Sequence, residues 1–205
     1  MIAHGAGAGM THPFMVGAAE GLREGGVSVL RFNFPFIDAH RRIPDPPPVL
    51  LDTWEAAVRR VRELGARLPL AAGGKSLGGR MASMLAARQG AAFPAAALVF
   101  LGYPLHPAGR SERLRDAHLG DIRVPMLFIQ GTRDALARLD LIEAVAARLA
   151  PLARLHVVPG ADHSFRVRGV KRSDHAIGRE LGRIAADYAR TVAGAQARQQ
   201  ERPSD

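Results

Sequence analysis

The chain has no cysteine, few aromatic residues and almost no lysine. The absence of cysteine excludes disulfide bonds, thiolate metal sites and cysteine nucleophiles. Aromatic residues make up 5% of the chain, and they do not interleave with basic residues in a stripe of the kind that binds nucleic acid. Only two of the 28 basic residues are lysines, and the net charge is +9. We interpret this charge as a general richness in arginine, so we do not expect a nucleic-acid partner.

Long hydrophobic runs are also absent. No stretch approaches the roughly eighteen consecutive apolar residues that a membrane-spanning helix needs, so we expect no membrane partner. The sequence does not open with a basic segment followed by an apolar one, and we therefore expect a cytoplasmic protein. The hydrophobic content of 47% is ordinary for a folded chain. We predict a single domain over residues 1–193 and a polar C-terminal tail over residues 194–205.

Short apolar runs alternate with amphipathic segments of helical period. The runs that we predict to be strands cover residues 2–4, 27–32, 68–72, 95–101, 124–130 and 155–158. This alternation is typical of an α/β fold, a mostly parallel sheet with helices on both faces. Sites in such sheets lie at the carboxyl ends of the strands. We therefore expect the loops that follow the strands to converge on one edge of the sheet.

A glycine-flanked serine follows the third predicted strand. Gly74, Ser76 and Gly78 form the pattern Gly-x-Ser-x-Gly, and a helix-like segment comes directly after it. Strand, sharp turn and helix around such a serine are typical of a nucleophile elbow. Glycine on each side allows the strained turn and the close approach of helix and strand. The pattern predicts that Ser76 is a nucleophile.

Two phosphate-binding motifs compete for the same glycines. A P-loop that ended at residues 74–76 would need glycine at position 69, where Pro69 stands. A dinucleotide-binding fingerprint that started at Gly5 would need glycine at position 10, which is Met10. Both motifs fail, and we expect neither an organic cofactor nor a metal.

An elbow serine needs a base and an acid, in the chain order Ser, Asp, His. Asp134 follows the predicted strand at 124–130, and His163 follows the last predicted strand. We predict a catalytic triad of Ser76, Asp134 and His163. The alternatives are a loop or helix-capping role for Asp134 and a surface role for His163. Asp162 is the weaker candidate for the acid, because neighbouring side chains rarely point at each other.

The tetrahedral intermediate of acyl transfer needs hydrogen-bond donors for its oxyanion. We predict that the backbone N–H groups of Leu77, Gly5 and Ala6 supply them, with a flexible turn as the alternative for the glycine-rich loop. Five residues on the converging loops are candidates for lining the pocket: His4, Asn33, Lys75, Tyr103 and His106.

Arg80 falls in the first turn of the predicted elbow helix, where a cation opposes the helix dipole. We expect it to form a structural ion pair with an acid from a neighbouring loop, and substrate binding is the alternative. The connection over residues 102–121 holds only 20 residues, with one short helix predicted at 112–118. A large lid is therefore not expected, which favours a small-molecule substrate over a long-chain lipid.

Taken together, the loop motifs resemble those of small α/β-hydrolase-like proteins related to dienelactone hydrolase. The resemblance runs from residue 2 to about residue 190, and its motifs lie at residues 4–10, 32–35, 74–80, 102–105, 131–134 and 160–165. It implies an α/β-hydrolase fold and the Ser76, Asp134 and His163 triad. We therefore expect a serine hydrolase that acts on a small ester, thioester or lactone. A non-catalytic, partner-binding scaffold is the alternative, because folds host unrelated functions.

The family pattern has further strands before the first glycine-rich loop. Residues 1–4 supply barely half of a normal strand of about five or six residues. We therefore expect a sheet of about six strands that lacks the N-terminal strands, with residues 27–32 as an apolar edge. Such an edge is compatible with a monomer or a homodimer.

Overall fold

Six strands form one parallel sheet in the computed structural model, which describes residues 1–64 and 68–200. The strands are β1 (Ile2–Ala3), β2 (Arg31–Phe32), β3 (Ala71–Lys75), β4 (Ala97–Leu101), β5 (Met126–Gly131) and β6 (Ala153–Val158). Their order across the sheet is β2-β1-β3-β4-β5-β6, and every neighbouring pair is parallel. The predicted α/β class, the strand number and the edge position of β2 are confirmed.

Helices cover both faces of this sheet. They are α1 (Pro13–Glu24), α2 (Pro35–Asp38), α3 (Pro47–Glu63), α4 (Leu77–Gln89), α5 (Leu139–Arg148) and α6 (Asp174–Gln200). A core that includes side chains of α3, α4 and α5 fills one face, and a second core built with α1 and α6 fills the other. No helix in the described part of the chain is long and apolar enough to cross a membrane.

The α1–α6 pair packs with its backbones in close contact. A Cβ atom added to Gly17 would lie 2.0 Å from the carbonyl oxygen of His175, and one added to Gly21 would lie 2.0 Å from that of Arg179. Real Cβ atoms do not approach so closely, so these α1 positions require glycine. The two glycines of the sequence GAAEG, residues 17–21, thus allow the close distance between α1 and α6.

The bounds of several elements differ from the predicted ones, because the hydrogen-bonded ladders between strands determine where each strand begins and ends. The strand predicted at 68–72 is β3, which the ladder with β4 places at Ala71–Lys75. Only Arg31–Phe32 of the run predicted at 27–32 pair with β1. The proline-rich connection over residues 33–48 contains the short helix α2, which begins at Pro35, a first-turn position that tolerates proline.

The end of α6 passes the boundary proposed for the C-terminal tail. The helix continues through residue 194 to Gln200, so residues 194–200 extend α6. Residues 201–205 of the predicted tail lie outside the described residues, and the division of the chain at residue 193 stays a prediction.

Candidate active site

Ser76 is the single residue between the end of β3 and the start of α4. Its backbone has φ 48° and ψ −112°, a strained conformation for a residue with a side chain. A Cβ atom on Gly78 would lie 2.4 Å from the carbonyl oxygen of Ala3, so only glycine lets α4 begin this close to β1. The predicted geometry of strand, sharp turn and helix is present, and it lifts the Ser76 side chain to the carboxyl edge of the sheet.

His163 joins Ser76 to Asp134. Its Nε2 atom lies 2.9 Å from Ser76 Oγ, and its Nδ1 atom lies 2.7 Å from Asp134 Oδ2. The carboxylate accepts from Nδ1–H, so Nε2 carries the lone pair that can accept the serine proton. The His163 side chain is 24% exposed, whereas that of Asp134 is fully buried. The structure thus brings together the three residues predicted for the triad.

Asp134 is held by donors besides His163. Gln130 Nε2 donates to Asp134 Oδ2, and the backbone N–H of Leu136 donates to Oδ1 at 2.7 Å. Gln130 is fully buried, and its Oε1 accepts from the N–H of Tyr103 at 2.9 Å. The carboxylate therefore has a fixed orientation. Sequence reasoning missed Gln130, although a lone amide in the apolar run at 124–130 was a usable signal.

Asp162, the weaker candidate for the acid, has another role. Its Oδ1 accepts from the backbone N–H groups of Ser164 at 2.8 Å and Arg166 at 2.9 Å. The carboxylate thus closes the turn that carries His163. The same turn contains Phe165 at φ 61°, a strained conformation for a residue with a side chain.

Lys75 supports the histidine loop. Its Nζ atom donates to the backbone carbonyl oxygen of His163 at 2.6 Å and lies 5.5 Å from the centroid of the Phe165 ring. Burial of the ammonium lowers the pKa of Lys75 to about 8, although the charges of Asp134 and Asp162 act in the opposite direction. Lys75 was predicted to line the pocket, and the structure instead shows it tying the nucleophile strand to the histidine loop.

Two of the predicted oxyanion donors, Leu77 and Gly5, border Ser76. Leu77 is the first residue of α4, so its N–H lies at the positive end of the helix. A Cβ atom on Gly5 would lie 3.6 Å from the Ser76 Cβ atom, which places the β1 loop beside the serine, and Ala6 follows at the surface. Within the described chain, the N–H groups of Gly5, Ala6 and Leu77 donate to no other residue. They are available to a substrate oxygen.

Two histidines predicted to line the pocket are buried bridges between loops, so that prediction is wrong. His4 Nδ1 donates to the Gly5 carbonyl at 2.7 Å, and its Nε2 accepts from the N–H of Phe34 at 3.0 Å. His106 repeats the pattern with the Pro107 carbonyl at 2.9 Å and the N–H of Arg138 at 3.0 Å. Desolvation lowers the pKa of His4, in keeping with a neutral ring.

Two other lining candidates have structural roles as well. Tyr103 is fully buried, and its O–H donates to the Arg115 carbonyl at 2.9 Å. Asn33 is half-buried, accepts from the N–H of Met10 at 2.8 Å and donates to Asp38 at 2.8 Å. Sequence reasoning placed both residues on the correct edge but could not say that Tyr103 is buried or that Asn33 bonds to neighbouring loop residues.

Arg80 does not make the ion pair that was expected. No described carboxylate bonds to its guanidinium, and its Nε atom is buried without a partner. Asp116, an acid of the neighbouring loop, pairs instead with Arg148.

A large apolar groove lies away from Ser76. This apolar groove has a volume of about 720 Å³, and most of its lining residues stand at the amino ends of the strands, among them Val27, Leu30, Leu70 and Ala96. Near Ser76, the connection over residues 102–121 carries one 3-10 turn at Ala117–Asp121 in place of the helix predicted at 112–118. The described residues include no group of three or more His, Cys, Asp or Glu side chains that could hold a metal ion.

Comparison with known proteins gives one family and many similar folds. A family model described as an alpha/beta hydrolase domain matches residues 1–193. An alpha-beta serine hydrolase homologue from Coxiella burnetii is 19% identical, with a TM-score of 0.66 over 87% of this chain and 77% of that one. Est1E from Butyrivibrio proteoclasticus, in a structure with bound ferulic acid, is 15% identical, with a TM-score of 0.71 over 93% of this chain and 88% of that one.

A third similar structure is an α/β serine hydrolase without a lid from Xanthomonas campestris. It is 23% identical, with a TM-score of 0.62 over 88% of this chain and 73% of that one. At these identities the likeness shows the fold alone, and the relation to dienelactone hydrolase stays a prediction.

Proposed function

Because the chain belongs to the alpha/beta hydrolase domain family, we propose that it is a serine hydrolase that acts by acyl transfer. One observation carries the proposal: His163 lies within hydrogen-bond distance of both Ser76 Oγ and Asp134 Oδ2, at 2.9 and 2.7 Å. A surface histidine or a capping aspartate would not need this alignment through both ring nitrogens. It is the arrangement that a serine needs in order to become a nucleophile.

In the first step, Ser76 Oγ attacks the carbonyl carbon of the substrate. The hydroxyl proton passes to His163 Nε2, and the carbonyl oxygen becomes an oxyanion. The N–H of Leu77, with those of Gly5 and Ala6, donates to this oxyanion. Buried Asp134 stabilises the imidazolium and keeps its ring in place.

In the second step, the tetrahedral intermediate collapses and the bond to the leaving group breaks. His163 returns its proton to the departing alkoxide or thiolate, which leaves an acyl ester on Ser76. A water molecule then gives a proton to His163 and attacks the ester, and the reverse transfer restores the Ser76 hydroxyl as the acid departs. The sequence of steps is balanced without a metal or an organic cofactor.

The surroundings of the triad favour a small ester, thioester or lactone. His163 is partly exposed, and the connection over residues 102–121 is too short to form a large lid. The apolar groove, which could accept a long acyl chain, lies among the amino ends of the strands, and Ser76 is not part of its lining. A compact substrate that reaches the carboxyl edge from solvent fits this arrangement.

A fluorophosphonate probe tests the proposal. We expect the probe to label the wild-type protein and Ser76→Ala to abolish labelling, because the probe reacts with activated serines. Ser28→Ala is the matched control, since Ser28 is exposed and lines the apolar groove. Labelling that survives Ser76→Ala would assign the nucleophile elsewhere. A folded wild-type protein that stays unlabelled, with no turnover on p-nitrophenyl esters, thioesters and lactones, would favour the partner-binding scaffold.

A further inference from the structure

A second concavity runs along the outer side of α4. Its volume is about 360 Å³, and Ser76 is not among its lining residues. We call it the arginine cleft, because cationic side chains dominate its polar lining and Asp121 is the only acid among its described lining residues. Its lining residues are Arg80, Met84, Ala87, Arg88, Leu114, Arg115, Ala117, His118 and Asp121.

Arg80 is the unusual member of the arginine cleft. Its Nε atom is buried and has no hydrogen-bond partner in the described part of the chain. Buried N–H groups of guanidinium are normally paired, because their desolvation is otherwise uncompensated. Arg88, about two turns further along the same helix, forms an ion pair with Glu55 at 2.6 Å. Arg80 thus lines the arginine cleft without a described carboxylate partner, and one of its N–H groups is buried and unpaired.

Arg115 adds a second cation without a described carboxylate partner. After desolvation, the charge of Arg80 is the largest cause that lowers the pKa of Arg115, and it also lowers the pKa of His118. Asp116 and Asp121 only partly oppose this effect at His118, and Asp116 is already paired with Arg148. The arginine cleft is thus a concave surface with excess positive charge.

We propose that the arginine cleft binds the oxyanion group, phosphate or carboxylate, of a small ligand between Arg80 and Arg115. The planar fork of guanidinium matches both groups and can bind them through paired hydrogen bonds. Such a ligand would offset the positive charge of Arg80 and Arg115, for which no described carboxylate partner is present. Met84 and the exposed Leu114 offer apolar contacts to the remainder of the molecule. The site is separate from the proposed acyl-transfer centre and does not depend on it.

Titration with inorganic phosphate and with acetate tests this site. Each salt is added to the full chain at an ionic strength held constant with chloride, and the imidazole resonances of His118 are followed by NMR. We expect a saturable shift of these resonances, because His118 lines the arginine cleft. Tighter binding of phosphate than acetate identifies a phosphate ligand, and the reverse order identifies a carboxylate; either result supports the proposal.

Arg115→Gln and Arg113→Gln form a matched pair of variants. Both remove one positive charge, but Arg113 is exposed and does not line the arginine cleft. Loss of a charge-assisted hydrogen bond predicts that Arg115→Gln weakens binding by about tenfold or more, whereas Arg113→Gln changes it by less than about twofold. Arg80→Lys keeps the charge but loses the fork, and we expect an intermediate loss. Equal loss in both glutamine variants, or no saturable shift with either salt, overturns the proposal.

Discussion

The two edges of the sheet differ in chemistry as much as in position. At the carboxyl edge, Ser76, His163 and Asp134 are linked by hydrogen bonds of 2.9 and 2.7 Å on a partly exposed surface. At the amino edge, the apolar groove encloses about 720 Å³, yet its described lining contains no His, Asp or Glu. The described lining of the apolar groove thus supplies no base or acid to activate a nucleophile. Size alone is a poor guide to the site, and the position of the strand ends is a better one.

Side-chain hydrogen bonds join the loops at the carboxyl edge. His4 and His106 each join two loops there through both ring nitrogens, and Lys75 joins β3 to the histidine loop. These contacts hold the triad without a ligand, which limits the reorganisation needed during catalysis. Three substitutions and one pH series test this contrast between the two edges of the sheet.

The largest loss of activity should follow substitution of the buried acid, Asp134. Asp134→Asn removes the charge that stabilises the imidazolium and disturbs the tautomer of His163, so kcat/KM should fall by about three to four orders of magnitude. Hydrolysis of p-nitrophenyl acetate measures it. Asp162→Asn is the control, because Asp162 caps the adjacent turn, and a loss of about tenfold or less is expected. A similar loss in both variants would mean that the acid has been assigned to the wrong residue.

A moderate effect is expected at Lys75. Lys75→Met removes a charge-assisted hydrogen bond to the histidine loop, which predicts a fall in kcat of about tenfold to a hundredfold. Because Lys75 acts through His163, KM should change much less than kcat. Lys75→Arg restores a cationic donor and should recover part of the activity. If Lys75→Met raises KM and leaves kcat unchanged, Lys75 contacts the substrate and not the loop.

The wild type and Lys75→Met should also differ in how their stability depends on pH. The pKa of Lys75 is lowered from 10.5 to about 8 in the folded state, so the unfolded chain binds more protons between these values. The free energy of unfolding of the wild type should therefore rise, relative to that of Lys75→Met, as pH increases from about 8 to about 10.5. Urea denaturation of both proteins across this range measures the difference. A flat difference would show that the Lys75 ammonium is well solvated.

Substitution at the amino edge of the sheet should have the smallest effect on stability and activity. Leu68 lines the apolar groove and is 74% exposed, so Leu68→Ser should change the free energy of unfolding by less than about 0.5 kcal/mol. Its kcat/KM on p-nitrophenyl acetate and on p-nitrophenyl octanoate should stay within about twofold of the wild type. A selective loss of activity on the octanoate would show that acyl chains reach the groove, and the contrast between the two edges would no longer hold.

Much of the architecture and the candidate triad could be predicted from the sequence. The alternation of apolar and amphipathic segments indicated a parallel sheet, since buried strands are apolar and the helices pack their apolar faces against them. The carboxyl ends of parallel strands share one edge, so loops far apart in sequence were expected to meet. For the same reason, Ser76, Asp134 and His163 could be placed together before any distance was known. These inferences depend on local pattern and on chain order, which a sequence contains directly.

The tertiary structure decided where side chains point and which groups find partners. His4, Tyr103 and His106 lie on the predicted edge but turn inward, because donors and acceptors from distant loops meet them there. Gln130 orients Asp134, while Arg80 lacks the acid that was expected for it. Apart from the bond between Gln130 and Asp134, these contacts join residues 12 to 32 positions apart in the chain. Burial and pairing are properties of the packed molecule, and no local pattern specifies them.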